Sequence, residues 1–508
     1  MADRSNQIIK SSPPPEGILF LAGFCLIILQ FFMIREISAM LMGTELVILL
    51  VTVAYFAGYS IGYGAAGFFT ERMIKAAAVV TWLLHITLPF SLRYIGGALV
   101  ENRGYGAAFF FILFFTAFAL SSFFSLLLPR FIDTHNGEKS LARLYGAELA
   151  GAVAGVGAIV SGGAMEQWAL PLVYQTALAL IVGLMLKRVA AWPALLMGVA
   201  AYGAVFDDIQ RQSISYYYHS AGILEDAETI QSVNSPYQKV DFLRTGHTNR
   251  HIFLNGRHNY GSSKLSLFNT FLTRVPIILT HPKETLIIGS GSMESVRYAS
   301  KHSDFVTTVE IDESVINGSR KFLWDINRLD QVNNWTLVIE DAKRFLGSGS
   351  KKYDVIIVDV PVPLTIQVGL LHSVDFYRMA RERLTENGVI SVALGGTFRR
   401  DNPTPQTVAS AVAEAFEDFV VYTPDKAGRS FAIGGRRLTF NSNDLVEASQ
   451  SLGAEEVDVY LKPVAVNIID GQPPIRMTSV GYPVKRSLNN IYYKVHGKDL
   501  DSLFGMDF

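Results

Sequence analysis

Residues 285–312 read TLIIGSGSMESVRYASKHSDFVTTVEID. The apolar run Thr285–Ile288 meets a turn, Gly289-Ser290-Gly291-Ser292; a helical stretch follows over Met293–His302, and a second apolar run, Thr307–Ile311, reaches Asp312. A strand, a glycine turn, a helix and another strand form the repeating unit of a parallel sheet covered by helices. The pattern continues through strands at Thr336–Ile339, Val355–Val358 and Val389–Ala393, separated by crossover helices at Glu313–Asn327, Ala342–Leu346 and Ser373–Leu384, and Phe431–Gly435 reads as a late strand. Upstream, Val233–Leu279 reads as strand-like segments, with Lys239–Leu243 and Arg250–Leu254 alternating and the turn Asn255-Gly256 behind them.

Ligands of such sheets bind outside the carboxyl ends of the strands, so the strand ends are where chemistry is expected. Gly289 and Gly291 let backbone approach a ligand closely, and the helix start behind them favours it electrically. Glu310 and Asp312 follow about 20 residues later, where an acid can bind ribose hydroxyls. Asp341, in Glu340-Asp341-Ala342, ends the third strand and can hold an adenine amino group. Asp359-Val360-Pro361-Val362-Pro363 hangs a rigid turn over the same edge. Each alone is a solvated acid or a plain turn; four in order point to a nucleoside site.

The rest of the chain has a different character. Charged residues make up 22 of the first 206 positions but 67 of the remaining 302, so an apolar half precedes one of ordinary soluble composition. Seven segments are long and apolar enough to span a bilayer: Gly17–Ile34, Glu45–Phe69, Ile74–Leu92, Tyr105–Leu128, Leu144–Gly163, Trp168–Leu186 and Val189–Val205. The first reads as a span rather than a cleaved leader. The expected organisation is a tail over 1–16, a transmembrane domain over 17–206, a linker with a small β-domain over 207–280, a nucleoside-binding domain over 281–440 and an extension over 441–508. Gly58/Gly62 and Gly151/Gly155 predict close helix packing. Glu148 falls inside the fifth span, where an ionisable group is either functional or a buried polar contact.

Basic residues collect on the N-terminal side of the spans (Arg4, Lys10, Arg72, Lys75, Arg130, Lys139, Arg143, Lys187, Arg188) against Arg35, Arg93 and Arg103 on the other. That distribution puts the N-terminus in the cytoplasm and, with seven spans, the soluble half outside, whereas nucleotide supply argues for the cytoplasm. A net charge of -1 gives no footprint for nucleic acid. Cys25, alone, excludes a disulfide framework and a multi-cysteine metal site, and no metal ligand set is expected.

At its strand ends the chain resembles the spermidine synthase-like aminopropyltransferases, in the version fused to an N-terminal multi-span domain. The resemblance runs through Gln30–Glu36, Tyr237-Gln238, Leu254-Asn255-Gly256-Arg257, the Gly289 loop, Val309–Asp312, Asp341-Ala342, Tyr353–Asp359 and Asp375-Phe376-Tyr377. It implies a methyltransferase-like Rossmann domain behind a small β-domain, using decarboxylated S-adenosylmethionine or a related S-adenosylmethionine-type nucleoside. By position, Glu310 would bind the ribose, Asp341 the adenine, Gly289 and Gly291 would pass the nucleoside closely, and Asn259 stands where the family has a glutamine near the cofactor.

The departures concern the acceptor. Where the family has an acid in its glycine loop this chain has Ser292, and Val362 stands where the second Asp of Asp-x-x-Asp-Pro binds and deprotonates the attacking amine. The acidic run over the pocket reads Lys264-Leu265 and Phe268-Asn269-Thr270. An ammonium must lose a proton before it can attack, which a positioned carboxylate accomplishes; Asp359 or Asp375 would have to substitute. His372 reads as a rim residue, and Asp470–Ile475 resembles the family's acidic turn near the C-terminus. Three readings stand: a membrane transferase with a non-polyamine acceptor, a non-catalytic sensor or scaffold engaging a membrane-protein partner or a second copy, and a polyamine aminopropyltransferase with a rearranged base.

Overall fold

Strands buried on both faces are written as continuous apolar runs, and Leu286-Ile287-Ile288 and Val355-Ile356-Ile357-Val358 are of that kind. In the computed structural model, which describes residues 14–41, 43, 45–103, 106–131, 137–162, 167–262, 266–469 and 471–477, they lie side by side at the centre of an eight-stranded sheet. The chain divides into two units near 225/226, with 44–46 assigned to the second.

The second unit starts with four antiparallel strands, β1 (Ala227–Asn234), β2 (Lys239–Thr245), β3 (Asn249–Leu254) and β4 (Arg257–Gly261), in sequence order. Asn255 and Gly256, at φ 48° and 74°, close the β3–β4 hairpin in the left-handed conformation that this dipeptide tolerates. The large sheet contains β5 (Glu284–Gly289), β6 (Phe305–Glu310), β7 (Trp335–Ile339), β8 (Tyr353–Asp359), β9 (Leu384–Ala393), β10 (Asp418–Pro424), β11 (Phe431–Gly435) and β12 (Val457–Leu461), ordered β12-β10-β11-β9-β8-β5-β6-β7. β5 to β9 are parallel; β10, β11 and β12 join antiparallel. Leu286 and Ile288 face one core and Ile287 the other, as the two-residue period of a strand requires. The chain steps to one side of β5 for β6 and β7, then returns to its other side for β8 and β9. That reversal opens a crevice at the carboxyl ends of β5 and β8.

Most of the anticipated strands are present. Two corrections lie upstream: β1 and β4 were not anticipated, and residues 266–280, expected among strand-like segments, form a helix that packs on the sheet. Its apolar residues Phe271, Leu272, Val275 and Ile277 follow helical spacing, with Pro276 inside. Lys264-Leu265 and Asp470 lie outside the described residues.

The first unit is helical: α1 (Pro15–Met40), α2 (Glu45–Ala65), α3 (Glu71–His85), α4 (Phe90–Arg103), α5 (Ala107–Ser125), α6 (Leu127–Phe131), α7 (Gly137–Gly162), α8 (Ala169–Leu186) and α9 (Trp192–Ser220). Six helices among the described residues are long and apolar enough to cross a membrane. The span expected at Ile74–Leu92 is instead a helix pair, α3 and α4, bent by 70°. Pro89 lacks the N–H that would continue the ladder, and it disfavours helical backbone at the residue before it. The carbonyls released at the break are taken by Gln175 Nε2, 2.6 Å from His85 O, and by the Tyr202 hydroxyl, 2.9 Å from Leu88 O. The composition change at Phe206 falls within α9, which runs on to Ser220.

The expected close packing is present. A Cβ on Gly23 would meet Glu148 O at 1.9 Å and one on Gly151 would meet Phe20 O at 1.9 Å, so α1 and α7 touch backbone to backbone; Gly58 and Gly62 serve α2 against α5 in the same way. Glu148 receives the hydroxyls of Tyr59 and Tyr63. Glu36, two residues beyond the expected first span, is buried and forms a two-point ion pair with Arg93, at 2.7 and 2.8 Å, while Arg93 also donates to Gln210 and Ser213. This network fastens α1, α4 and α9.

Candidate functional site

Gly289 ends β5 directly beside Asp359, which ends β8. Its φ is +88°, and a Cβ there would lie 2.2 Å from Asp359 O, so only glycine fits. The chain then folds tightly: Ser290 N donates to Asp359 O at 3.0 Å and Met293 N to Ser290 O at 2.7 Å. A Cβ on Gly291 would press on Val315 Cγ1 at 2.6 Å. The helix behind this turn, α10 being Ser266–Thr280 and this one α11 (Glu294–Ala299), has six residues rather than the expected Met293–His302. It opens with an acid, so the turn does not suit an anion such as phosphate.

Glu310 ends β6, and α12 (Glu313–Phe322) follows. Its Oε1 accepts from Ile311 N at 2.8 Å and Asp312 N at 3.0 Å, which leaves Oε2 without a protein donor among the described residues. Burial pushes the Glu310 carboxyl up to about 7, with the nearby Asp312 and Asp359 charges adding to the shift and the two amide bonds opposing it. Asp312 sits differently. Oδ1 caps α12 at Ser314 N, and Oδ2 accepts from Ser235 Oγ at 2.7 Å and Gln238 Nε2 at 3.1 Å. It thereby pins the β1–β2 connection to the large sheet.

Downstream come α13 (Trp324–Asn327) and α14 (Ala342–Ser348), the latter capped by Asp341, whose Oδ1 accepts from Lys343 N at 2.8 Å and Arg344 N at 3.2 Å. Asn259 is exposed on β4, at the bulge where Ile252 pairs with Tyr260 and Phe253 with His258. No hydrogen bond joins it to the Gly289 turn, Glu310 or Asp341 among the described residues. The structure therefore gathers Gly289, Asp359, Glu310 and Asp312 at adjoining strand ends.

Desolvation raises the carboxyl of half-buried Asp359, with hydrogen bonds from the Ser295 and Ser290 hydroxyls opposing it; its Oδ2 accepts from Ser295 Oγ at 2.8 Å. Val362 packs over Gly395 at the end of β9, with Cγ1 only 2.5 Å from where a Cβ on that glycine would stand. Asp375 accepts from Met477 N at 3.0 Å on the surface. His372, expected at the rim, is 1% exposed. A carbonyl only accepts, so Nε2 carries the proton donated to Pro361 O at 2.9 Å, and Nδ1 receives the Tyr377 hydroxyl at 2.9 Å. Burial pushes this imidazole down to about 4, so it is neutral and holds the turn after β8 in place.

One group escaped the sequence reading. Glu294 is 2% exposed, accepting from Asn269 Nδ2 at 3.1 Å and from the Tyr298 hydroxyl at 3.0 Å, and burial raises its carboxyl, with the Asp359 charge adding to the shift. Asn269 also reaches Ser292 Oγ at 3.4 Å. The available signal was an acid two residues beyond Ser292, passed over because it falls where a helix begins.

The spermine/spermidine synthase domain matches residues 267–425. A polyamine aminopropyltransferase of Thermoanaerobacter sp. (strain X514) is 33% identical over 171 residues, which are 33% of this chain and 61% of that protein. One of Caldicellulosiruptor bescii is 30% identical over 193 residues, 37% of this chain and 68% of that protein. The spermidine synthase structure from Thermotoga maritima is 21% identical, with a TM-score of 0.38, and covers 51% of this chain and 87% of that one. The chain spans 61% of the length of the first curated relatives it matches. By its sequence it belongs to the spermine/spermidine synthase family, whose relatives are named polyamine aminopropyltransferases.

Proposed function

We propose that this chain is an integral membrane member of the family whose Rossmann-like domain binds an S-adenosylmethionine-type nucleoside and transfers a group to an acceptor other than a free polyamine. One observation carries the reading: Gly289, held open against Asp359, stands next to Glu310, whose Oε2 has no protein donor among the described residues. Glu310 would receive the ribose hydroxyls, the Gly289–Gly291 backbone would lie along the nucleoside, and Asp341 would meet the adenine from its place at the head of α14. A bound sulfonium nucleoside supplies an electrophilic carbon; the protein's own part is to hold it, exclude water and take a proton from the nucleophile. Asp359 is the carboxylate at hand for that proton, because Val362 offers no base. The six apolar helices support the bilayer as the seat of the first unit.

A second reading, a non-catalytic sensor or scaffold, is favoured by Val362 packed on Gly395 where an acid is expected. Calorimetric titration with S-adenosylmethionine, its decarboxylated form and methylthioadenosine separates the two. Binding of at least one is expected, and no heat with any leaves only the scaffold. Incubation with decarboxylated S-adenosylmethionine and putrescine or spermidine should give no product; turnover would restore the polyamine as acceptor.

A further inference from the structure

The carboxyl edge of the sheet continues past the strands assigned to the nucleoside. In strand order, β6 and β5 are followed by β8, which carries Asp359, and then by β9 and β11. β11 runs antiparallel to β9, with Phe431 opposite Ala393, so the connection from β10 into β11 arrives at this same edge. It is tied to the turn after β9: Leu394 N donates to Ser430 O at 3.0 Å, Ser430 N to Gly396 O at 2.9 Å and Phe398 N to Ser430 Oγ at 2.7 Å. Gly395, between those contacts, is the residue on which Val362 packs.

Arg429 is carried on that connection. Its guanidinium stands 5.3 Å from the centre of the Phe268 ring, near the start of α10, and Phe268 lies 5.6 Å from the Phe431 ring. The next residue, Asn269, reaches Ser292 of the glycine turn. Strand alternation fixes the side of the sheet. Val355 and Ile357 face the core that α10 completes, so Asp359, two residues on, points to that side. On β6, Val306 faces the same core and Val309 the other, which sends Glu310 the same way. Arg429, Asp359 and Glu310 therefore share one side of one edge, with Asp359 in the middle.

Arg429 is half-buried and forms no ion pair or hydrogen bond among the described residues, whereas Lys426 in the same connection pairs with Glu455 at 2.8 Å. Burial lowers its guanidinium, with no neighbouring carboxylate to offset the shift. Holding a guanidinium out of water without an anion is costly. Its planar fork of donors matches a carboxylate or a phosphate. We propose that Arg429 binds an oxyanion carried by the acceptor, so that this site takes an amine bearing a carboxylate or phosphate rather than a polyamine. This rests on the nucleoside reading above and names its acceptor. β8 and β11 are two strand spacings apart, about 10 Å. A four-carbon chain with a hydrogen bond at each end bridges that span, with its amine at Asp359 and its oxyanion at Arg429.

The test is calorimetry on the intact, detergent-solubilised chain saturated with methylthioadenosine and titrated separately with putrescine, 4-aminobutanoate and 3-aminopropyl phosphate. All three offer a primary amine at one end; only the last two carry an oxyanion at the other. Wild type should bind at least one oxyanion about tenfold or more tighter than putrescine, the range expected of hydrogen bonds between charged groups. The tighter of the two identifies carboxylate or phosphate as the group recognised. In Arg429→Gln the preference should fall to within about twofold, with methylthioadenosine binding, which draws on Glu310 and the Gly289 turn, as the control for folding. Putrescine bound by wild type as tightly as both oxyanions overturns the proposal whether or not the variant folds. So does the absence of binding by either oxyanion, or a preference that survives in Arg429→Gln. If methylthioadenosine itself does not bind, the nucleoside reading fails and this proposal with it.

Discussion

Glu310 carries more of the functional reading than any other side chain, and its environment gives it a pH signature. A ribose hydroxyl donates to a carboxylate far better than to a neutral acid. With the carboxyl raised to about 7 by burial, nucleoside affinity should decline as pH falls from 8 to 6, and the decline should vanish in Glu310→Gln. The sign for folding is opposite. A carboxyl raised above its ordinary value stabilises the fold fully below about 4.5 and loses that contribution as pH rises through about 7. Denaturant titrations should therefore find Glu310→Gln gaining stability relative to wild type between pH 5 and pH 8; a constant difference would contradict the assigned environment. Glu310's place at a strand end was legible because it closes an apolar run in a series of such runs. Glu294 and His372 were not, since their roles come from burial against residues distant in sequence, Asn269 for one and Pro361 for the other.

At the scale of elements, the Gly289 turn is the most constrained piece of backbone in the site. Gly289→Ala would place a methyl group 2.2 Å from Asp359 O in a conformation with φ +88°. It should cost the second unit more than about 1 kcal/mol and weaken nucleoside binding, as read by chemical denaturation and calorimetry; a variant as stable as wild type would show that the turn relaxes freely. The parallel strands were readable because runs buried on both faces are continuous and end in turn residues. β10 was missed because Asp418–Pro424 follows the helix Pro403–Ala415 with hardly a break. β12, Val457–Leu461, is a half-exposed edge strand without an unbroken apolar run. The helix at Ser266–Thr280 was obscured by Pro276 and β-favouring neighbours.

At the scale of the whole molecule, the charge split foretold two units, and the few charges of the apolar half are set to use. Arg93 and Glu36 are both nearly inaccessible and satisfy each other through two hydrogen bonds. Removing one partner strands the other, so Glu36→Ala should destabilise the helical unit by about 3–5 kcal/mol, seen as an earlier thermal transition in detergent. An unchanged transition would mean that the pair fastens nothing. The bent α3–α4 pair sets the number of helices or helix pairs able to cross a membrane, among the described residues, at six or seven, and this was beyond the reach of hydropathy, which averages over the break at Pro89. If the pair crosses, single cysteines at Lys75 and Lys187 label from the same face of the membrane; if it turns back, they label from opposite faces. The basic residues favour the first outcome.

The central claim is that the second unit holds a nucleoside site at the ends of β5 and β6. The most direct test is calorimetric titration of the intact protein with methylthioadenosine, wild type beside Glu310→Ala. The predicted result is saturable binding by wild type and affinity lower by about tenfold or more in the variant, with the thermal transition retained. No heat from wild type, or equal affinity in the two, contradicts it.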